Sequence, residues 1–380
     1  MKSKMSVMVV FGTRPEAIKL APVIKELQKH PEQIELCTCV TAQHREMLDQ
    51  VLAAFTIEPD VDLDLMRHGQ NLSELTARIF NELDPVIKKI KPDWLLIQGD
   101  TTTVMAAAIL GFYNQIKIGH VEAGLRTHDK WQPFPEEVNR RIAGVVADLH
   151  FAPTDNNRQN LLREGIPDEI INVTGNPAID ALRIITQQTP PSEAIKLLDL
   201  ADVTSGKRRL VLVTAHRREN FGQPIKDICT ALKQLAQNYQ DEITLIYPVH
   251  LNPNIQKPVY EILSGIENII LLGPLDYLPL VHLMKKAALI LTDSGGIQEE
   301  APSLGVPTLV LREITERQEG MEAGTLKLVG TNTQRIFTEA KLLLDDPQAH
   351  AQMAGAVNPY GDGYAAQRIV EALLETRGEM

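Results

Sequence analysis

Cysteine is scarce. The chain has three, Cys37, Cys39 and Cys229, in 380 residues. An odd count with no paired spacing excludes a disulfide framework and points to a reducing compartment. No CxxC zinc pattern occurs. Cys37 and Cys39 alternate within the apolar run Ile34–Val40, so at strand period they share one face, and core packing is preferred over redox chemistry. Positive charge is in deficit: 38 Lys+Arg face 49 Asp+Glu, for a net charge of −11. The broad positive field of sequence-independent nucleic-acid binding is therefore missing, although one pocket can still bind an anion. Long apolar runs are absent too. Nothing approaches the ~18–20 residues of a membrane span, and Ser6–Phe11 is shorter than a signal-peptide core of roughly 7–15 residues. Low-complexity tracts and short-period repeats are missing. These absences predict a soluble, cytoplasmic protein that binds neither nucleic acid nor membrane.

What is present is an ordinary globular composition, 44% apolar and 23% charged, which excludes a disordered chain. At roughly 100–200 residues per domain, the length predicts two domains or three. Short β-branched runs alternate with amphipathic stretches such as Pro15–Lys29 and Leu72–Ile90. In the first half the runs are Ser6–Phe11, Ile34–Val40, Trp94–Gln98, Ile116–Val121, Leu149–Ala152 and Ile170–Val173. In the second half they are Leu210–Thr214, Ile243–Val249, Ile269–Leu272, Leu289–Leu291 and Thr308–Leu311. Continuous apolar runs fit strands buried on both faces. The rhythm occurs twice and predicts α/β architecture, two doubly wound parallel-sheet domains joined near residue 180. A last helix, Ala365–Thr376, could pack on either.

In open parallel sheets, ligands bind outside the carboxyl ends of the strands. Polar and ionisable residues follow nearly every predicted strand: Arg14 and Glu16, Gln43 and His44, Asp100, Glu122 and Arg126, then His216 and Arg217, His250, and Asp293 with Ser294. This convergence predicts an enzyme with its site in a cleft. Ser294-Gly295-Gly296 reads as a glycine-rich loop opening a helix, suited to phosphate oxygens. A strand-to-helix turn needing positive φ is nearly as good a reading. Glu300 could accept from sugar hydroxyls or be a solvated helix carboxylate. Glu136 and Arg140 are four apart, and in isolation read as a surface ion pair. Arg317 reads equally as a phosphate clamp or a surface residue. The region Glu122–Arg140, with Arg126, His128 and Trp131, reads as a site-lining loop. His30, His68, His120, His128, His150, His282 and His350 read as core or surface. Asp60, Asp62 and Asp64 read as solvated carboxylates rather than a metal site.

The motifs Gly12-Thr13-Arg14-Pro15-Glu16, Gln98-Gly99-Asp100-Thr101, His120-Val121-Glu122-Ala123-Gly124-Leu125-Arg126, Pro135-Glu136-Glu137-Val138-Asn139-Arg140, Thr214-Ala215-His216-Arg217-Arg218-Glu219-Asn220 and Asp293-Ser294-Gly295-Gly296-Ile297-Gln298-Glu299-Glu300 together resemble the non-hydrolysing UDP-N-acetylglucosamine 2-epimerases of bacteria. The resemblance spans essentially the whole chain. It implies a GT-B fold, two Rossmann-like domains facing across a cleft, residues 1–180 with 363–380 forming one and 181–362 the other. It implies a homodimer that interconverts UDP-GlcNAc and UDP-ManNAc without NAD or metal, supplying ManNAc units for cell-surface polysaccharide.

By motif position, the resemblance implies that Arg14, His216, Ser294, Gly295, Gly296, Glu300 and Arg317 contact UDP. It implies that Asp100, Glu122 and Glu136 are acid/base carboxylates, with Arg140 nearby and His216 also catalytic. It further implies an activating second UDP-GlcNAc at Gln43, His44, Gln70, Arg217 and His250, with Glu136 between the two ligands. The main alternative is a GT-B glycosyltransferase using a UDP-sugar donor. A hydrolysing epimerase and a non-catalytic nucleotide-sugar sensor also fit the residues.

Overall fold

A computed structural model describes residues 4–42, 45–67 and 69–378. Contact density divides the chain into two units, Met1–Ile184 with Gly361–Met380, and Ile185–Tyr360. The boundary falls inside the helix Pro177–Gln187.

In the first unit the apolar runs become β1 (Met5–Phe11), β2 (Ile34–Val40), β3 (Val61–Asp62), β4 (Trp94–Gln98), β5 (Lys117–Val121), β6 (Leu149–Ala152) and β7 (Ile171–Val173). They form one parallel sheet in the order β3-β2-β1-β4-β5-β6-β7. β1 is central: Val9 pairs with Thr38 on one side and Leu96 on the other. The second unit repeats the plan with β8 (Arg209–Thr214), β9 (Ile243–Pro248), β10 (Ile269–Leu272), β11 (Ala287–Thr292), β12 (Thr308–Val310) and β13 (Leu326–Leu328). Its order is β10-β9-β8-β11-β12-β13. β3 and β13 have no counterpart among the expected strands. Both are edge strands of two or three residues, each with a charged residue, too short to register as apolar runs.

In each sheet the chain winds outward one way and then returns to start the other half. The reversal lies between β1 and β4 in the first unit and between β8 and β11 in the second. These are the topological switch points, where open α/β sheets leave a crevice at the strand ends.

The helices that cover the sheets start where the sequence supplies caps. Thr13 caps the helix Arg14–Leu27 in a capping box with Glu16, and Asn71 and Glu74 do the same for Leu72–Ile90; each satisfies otherwise orphaned N–H groups. The last helix, Ala365–Glu375, packs on Arg14–Leu27 within the first unit. Its entry is fixed by the buried Asp180, whose carboxylate accepts from Ala365 N at 3.1 Å and Ala366 N at 2.9 Å.

Cys39 lies in the first unit's core with Cys37 packed against it. Burial, helped by Asp60, pushes the Cys37 thiol up to about 11, so it is an inert thiol at neutral pH. Asp60 is more than a solvated carboxylate: it accepts from Thr38 N at 2.7 Å and from the Thr38 hydroxyl at 2.9 Å, stitching the segment before β3 to β2. Among the described residues, no cluster of three His, Cys, Asp or Glu could hold a metal, and no helix is long and apolar enough to cross a membrane.

Candidate active site

At the first switch point the loop after β1 meets the loop after β4, and one buried carboxylate joins them. Glu16 accepts from Gly12 N at 3.0 Å and Thr13 N at 2.7 Å, and from the Thr101 hydroxyl at 2.8 Å. Burial raises its pKa against the pull of those hydrogen bonds. Arg14 opens the helix at this junction, half-buried. Asp100 follows β4 with its side chain 25% exposed and pairs with Arg140, whose own side chain is 6% exposed. Asn139 donates to the Asp100 carbonyl at 2.9 Å.

Glu122 follows the neighbouring strand β5 in the left-handed region, φ 64°, a conformation a non-glycine residue rarely adopts. Three side chains hold it there. Lys19 pairs with Oε1, Asn176 donates to Oε1 at 3.2 Å, and Gln98 donates to Oε2. Two residues on, Gly124 is required for packing: a Cβ there would lie 2.2 Å from the Asn157 carbonyl oxygen. Beneath this layer His120 bonds the Gly99 carbonyl at 2.8 Å. Burial lowers its pKa to about 4, so the ring is neutral at pH 7 and serves as a strut.

The helix Glu136–Val146 corrects one expectation. Arg140 does not serve a surface pair with Glu136. It is buried, and it bridges Asp100 and Glu137, bonding the latter at 3.0 Å. Glu137 is the fully buried member of the Glu136-Glu137 pair, and it also accepts from Thr127 N at 3.0 Å and His128 N at 3.2 Å. Glu136 is half-exposed at the helix start. Arg126 is likewise no loop-lining side chain: it is buried and grips Glu164 at 2.7–2.8 Å. Trp131 and Phe134 are exposed and stacked at 5.9 Å.

The second switch point is built from the loops after β8 and β11. His216 and Arg217 donate their backbone N–H groups to Asp293 at 2.7 and 2.8 Å. The His216 ring stacks on His250 with centroids 5.4 Å apart. Ser294 precedes the short helix Gly295–Glu300, and its side chain makes no capping bond. Glu300 is buried, not solvated; it faces Tyr277, whose phenol is pushed well up by burial and by that carboxylate. Arg317 is no surface residue. Its guanidinium is 12% exposed, lies against Gly295, bonds Glu299 at 2.8–3.0 Å and pairs with Glu316. Burial would raise Glu316, but Arg317 and Arg312 hold its carboxyl down at about 2.

Gln43 and His44 lie outside the described residues, as does His68. Gln70 accepts from Arg78 at 3.3 Å. It lines an open depression of about 810 Å³ formed by the segment around Met66 and Leu75.

Residues 25–374 match the family model described as UDP-N-acetylglucosamine 2-epimerase. The chain is 55% identical to the UDP-N-acetylglucosamine 2-epimerase of Yersinia pestis, with 97% of this chain and 98% of that one covered. The chain belongs to the UDP-N-acetylglucosamine 2-epimerase family. The enzyme of that name from Escherichia coli strain K12 is 52% identical, over 98% of this chain and 99% of its own. A crystal structure of UDP-GlcNAc 2-epimerase from Neisseria meningitidis bound to UDP-GlcNAc superposes with a TM-score of 0.89 at 49% identity, covering 98% of this chain and 100% of that one. Family membership makes the chain an isomerase, and its two Rossmann-like units are of the GT-B type.

Four residues of the candidate site, Lys19, Asn176, Gln98 and Glu137, have no role assigned from the sequence alone. Lys19 sits on a helix with buried Pro22 and Val23 one turn on, a placement that draws a lysine toward the protein. Asn176 lies three residues after β7, at a strand end like those that carry the other candidate residues. Gln98 ends β4. Glu137 differs from Glu136 only in helical phase, and the phase is set by buried Arg140 and Gly144.

Proposed function

We propose that this chain interconverts UDP-GlcNAc and UDP-ManNAc by elimination and re-addition of UDP, without hydrolysis. The observation that carries this reading is the pair Asp100 and Glu122. They follow adjacent parallel strands and each is ion-paired to a largely buried cation, Arg140 and Lys19. The proton at C2 of the sugar has no neighbouring carbonyl to acidify it, so direct exchange would be prohibitively slow. Elimination avoids the problem. The C2 proton goes to a carboxylate, the C1–O bond breaks with its electron pair leaving on UDP, and a C1=C2 double bond forms, giving 2-acetamidoglucal. Re-addition of UDP with a proton delivered to the opposite face of C2 inverts that centre. Asp100, Glu122 and Glu136 supply the carboxylates. Arg14, Arg317, His216 and the Ser294-Gly295-Gly296 loop stabilise charge on the diphosphate, with Glu300 on hydroxyls of the ligand and Arg140 holding Asp100.

The same reading makes the protein a cytoplasmic homodimer that supplies ManNAc units for cell-surface polysaccharide. It is activated by a second UDP-GlcNAc at Gln43, His44, Gln70, Glu136, Arg217 and His250. Incubation with UDP-GlcNAc alone, followed by NMR of the products, tests the reaction. UDP-ManNAc should appear at equilibrium with its nucleotide attached. Free ManNAc and UDP would mean a hydrolase, and consumption only in the presence of a sugar acceptor would mean a transferase.

A further inference from the structure

Asp293 has two oxygens in different circumstances. Oδ2 is saturated: it accepts from His216 N at 2.7 Å, from Arg217 N at 2.8 Å and from the Asn220 amide at 2.8 Å. Oδ1 is fully buried and, among the described residues, has no hydrogen-bond partner. The imidazole of His216 lies beside it, Nδ1 to Oδ1 at 3.5 Å. A loop staple accounts for Oδ2 and leaves Oδ1 unexplained, and a buried acceptor without a donor is costly. Catalytic hydrogen bonds are commonly long in the unliganded protein and tighten when substrate binds.

An ionised carboxylate only accepts. A His216 ring facing Oδ1 through Nδ1 is therefore favoured with its proton on Nδ1, leaving Nε2 to the other side. The His216 side chain is 39% exposed. His250 stacks against the ring within 13° of parallel, which restricts its rotation. The His250 Nδ1 is itself engaged by the Asn252 N–H at 3.1 Å, so that ring is fixed in turn.

We propose that Asp293 is a positioning residue that fixes the tautomer and orientation of His216, so that Nε2 is presented to the diphosphate. When the ring is charged, Nε2–H donates to a phosphate oxygen of the departing UDP, and Asp293 balances the imidazolium from the opposite edge. The inference rests on the proposed role of His216, but the tautomer can be measured without turnover.

Asp293→Asn is the discriminating variant. Its amide oxygen can keep the three bonds of Oδ2, while its NH₂ group now faces Nδ1 and favours the proton on Nε2. Long-range ¹H–¹⁵N NMR of the full chain with labelled histidine reads the tautomer, and a His216→Asn spectrum assigns the signal. In the native protein the neutral ring should carry its proton on Nδ1. In Asp293→Asn it should carry it on Nε2, and because a neutral amide cannot balance the imidazolium, kcat should be about a hundredfold lower with UDP affinity nearly unchanged. An Nε2–H tautomer in the native protein refutes the proposal without any variant, so a misfolded Asp293→Asn cannot shelter it. A folded Asp293→Asn with native kcat refutes it as well. Normal turnover by His216→Asn would instead overturn the parent reading of His216 and the catalytic half of this one, while the tautomer result stood on its own.

Discussion

A β-carbon built on Gly295 would lie 2.7 Å from Cζ of Arg317. The guanidinium therefore rests directly on the backbone of the glycine-rich loop, and the loop has glycine there because the arginine occupies the space. Glu299 and Glu316 hold it from its other edges. If Arg317 is the proposed diphosphate clamp, this arrangement prepositions its guanidinium. Gly295→Ala should displace Arg317 and weaken UDP binding about tenfold to a hundredfold, the worth of one charge-assisted hydrogen bond. Calorimetric titration with UDP checks this, and unchanged affinity would remove Arg317 from the nucleotide site.

Lys19 and Asn176 hold one oxygen of Glu122 and Gln98 holds the other. Lys19→Met should lower kcat by one to two orders of magnitude, because it removes a cation paired with a partly buried carboxylate, while KM changes little. Lys19→Arg should recover part of the loss. Asp100→Asn and Glu122→Gln should abolish turnover yet still bind UDP, since a carboxamide keeps the shape and cannot exchange the proton. Native rates in either variant would remove that carboxylate from the chemistry.

Two buried histidines make the first unit sensitive to mild acid. Burial, with His120 and Arg126 nearby, lowers His150 to about 3. Burial likewise lowers His120, to about 4. Above pH 6.5 these rings are neutral both folded and unfolded. As pH falls below 6.5 the unfolded chain takes up protons that the folded state refuses, so stability declines until pH reaches the folded values. At pH 5 the cost for His150 is about 2 kcal/mol. His150→Leu should lose about that much less stability than the native protein between pH 7 and pH 5, as measured by urea unfolding. An equal loss in both proteins would show that His150 is not the acid-sensitive group.

Replacing Gln43 or His44 should blunt activation by UDP-GlcNAc more than it harms the chemistry. Initial rates of the reverse reaction, from UDP-ManNAc with and without added UDP-GlcNAc, measure this. An unaltered activation curve would argue against the proposed regulatory site.

The strand ends were legible because buried parallel strands are continuous apolar runs. Trp94–Gln98 and Leu149–Ala152 match their strands residue for residue. With those ends in hand, Asp100, Glu122, His216 and Ser294 stood out. Residues whose meaning depends on helical phase were not legible. Glu136 and Glu137 are adjacent in sequence, and only the packing of Arg140 shows that Glu137 faces inward. Lys19 reads as one more helical lysine until the fold brings it against Glu122, 103 residues away. Arg126 reads as part of a site-lining loop because its partner, Glu164, lies on a different element. Long-range ion pairs leave no local pattern to read.

In the proposed reaction a proton is exchanged at C2 while UDP is detached. Incubation of the enzyme with UDP-GlcNAc in heavy water, with no acceptor present, measures this directly. Deuterium should appear at C2 in the UDP-ManNAc formed and, at equilibrium, in the recovered UDP-GlcNAc. UDP-ManNAc that formed with its original hydrogen retained at C2 would contradict it.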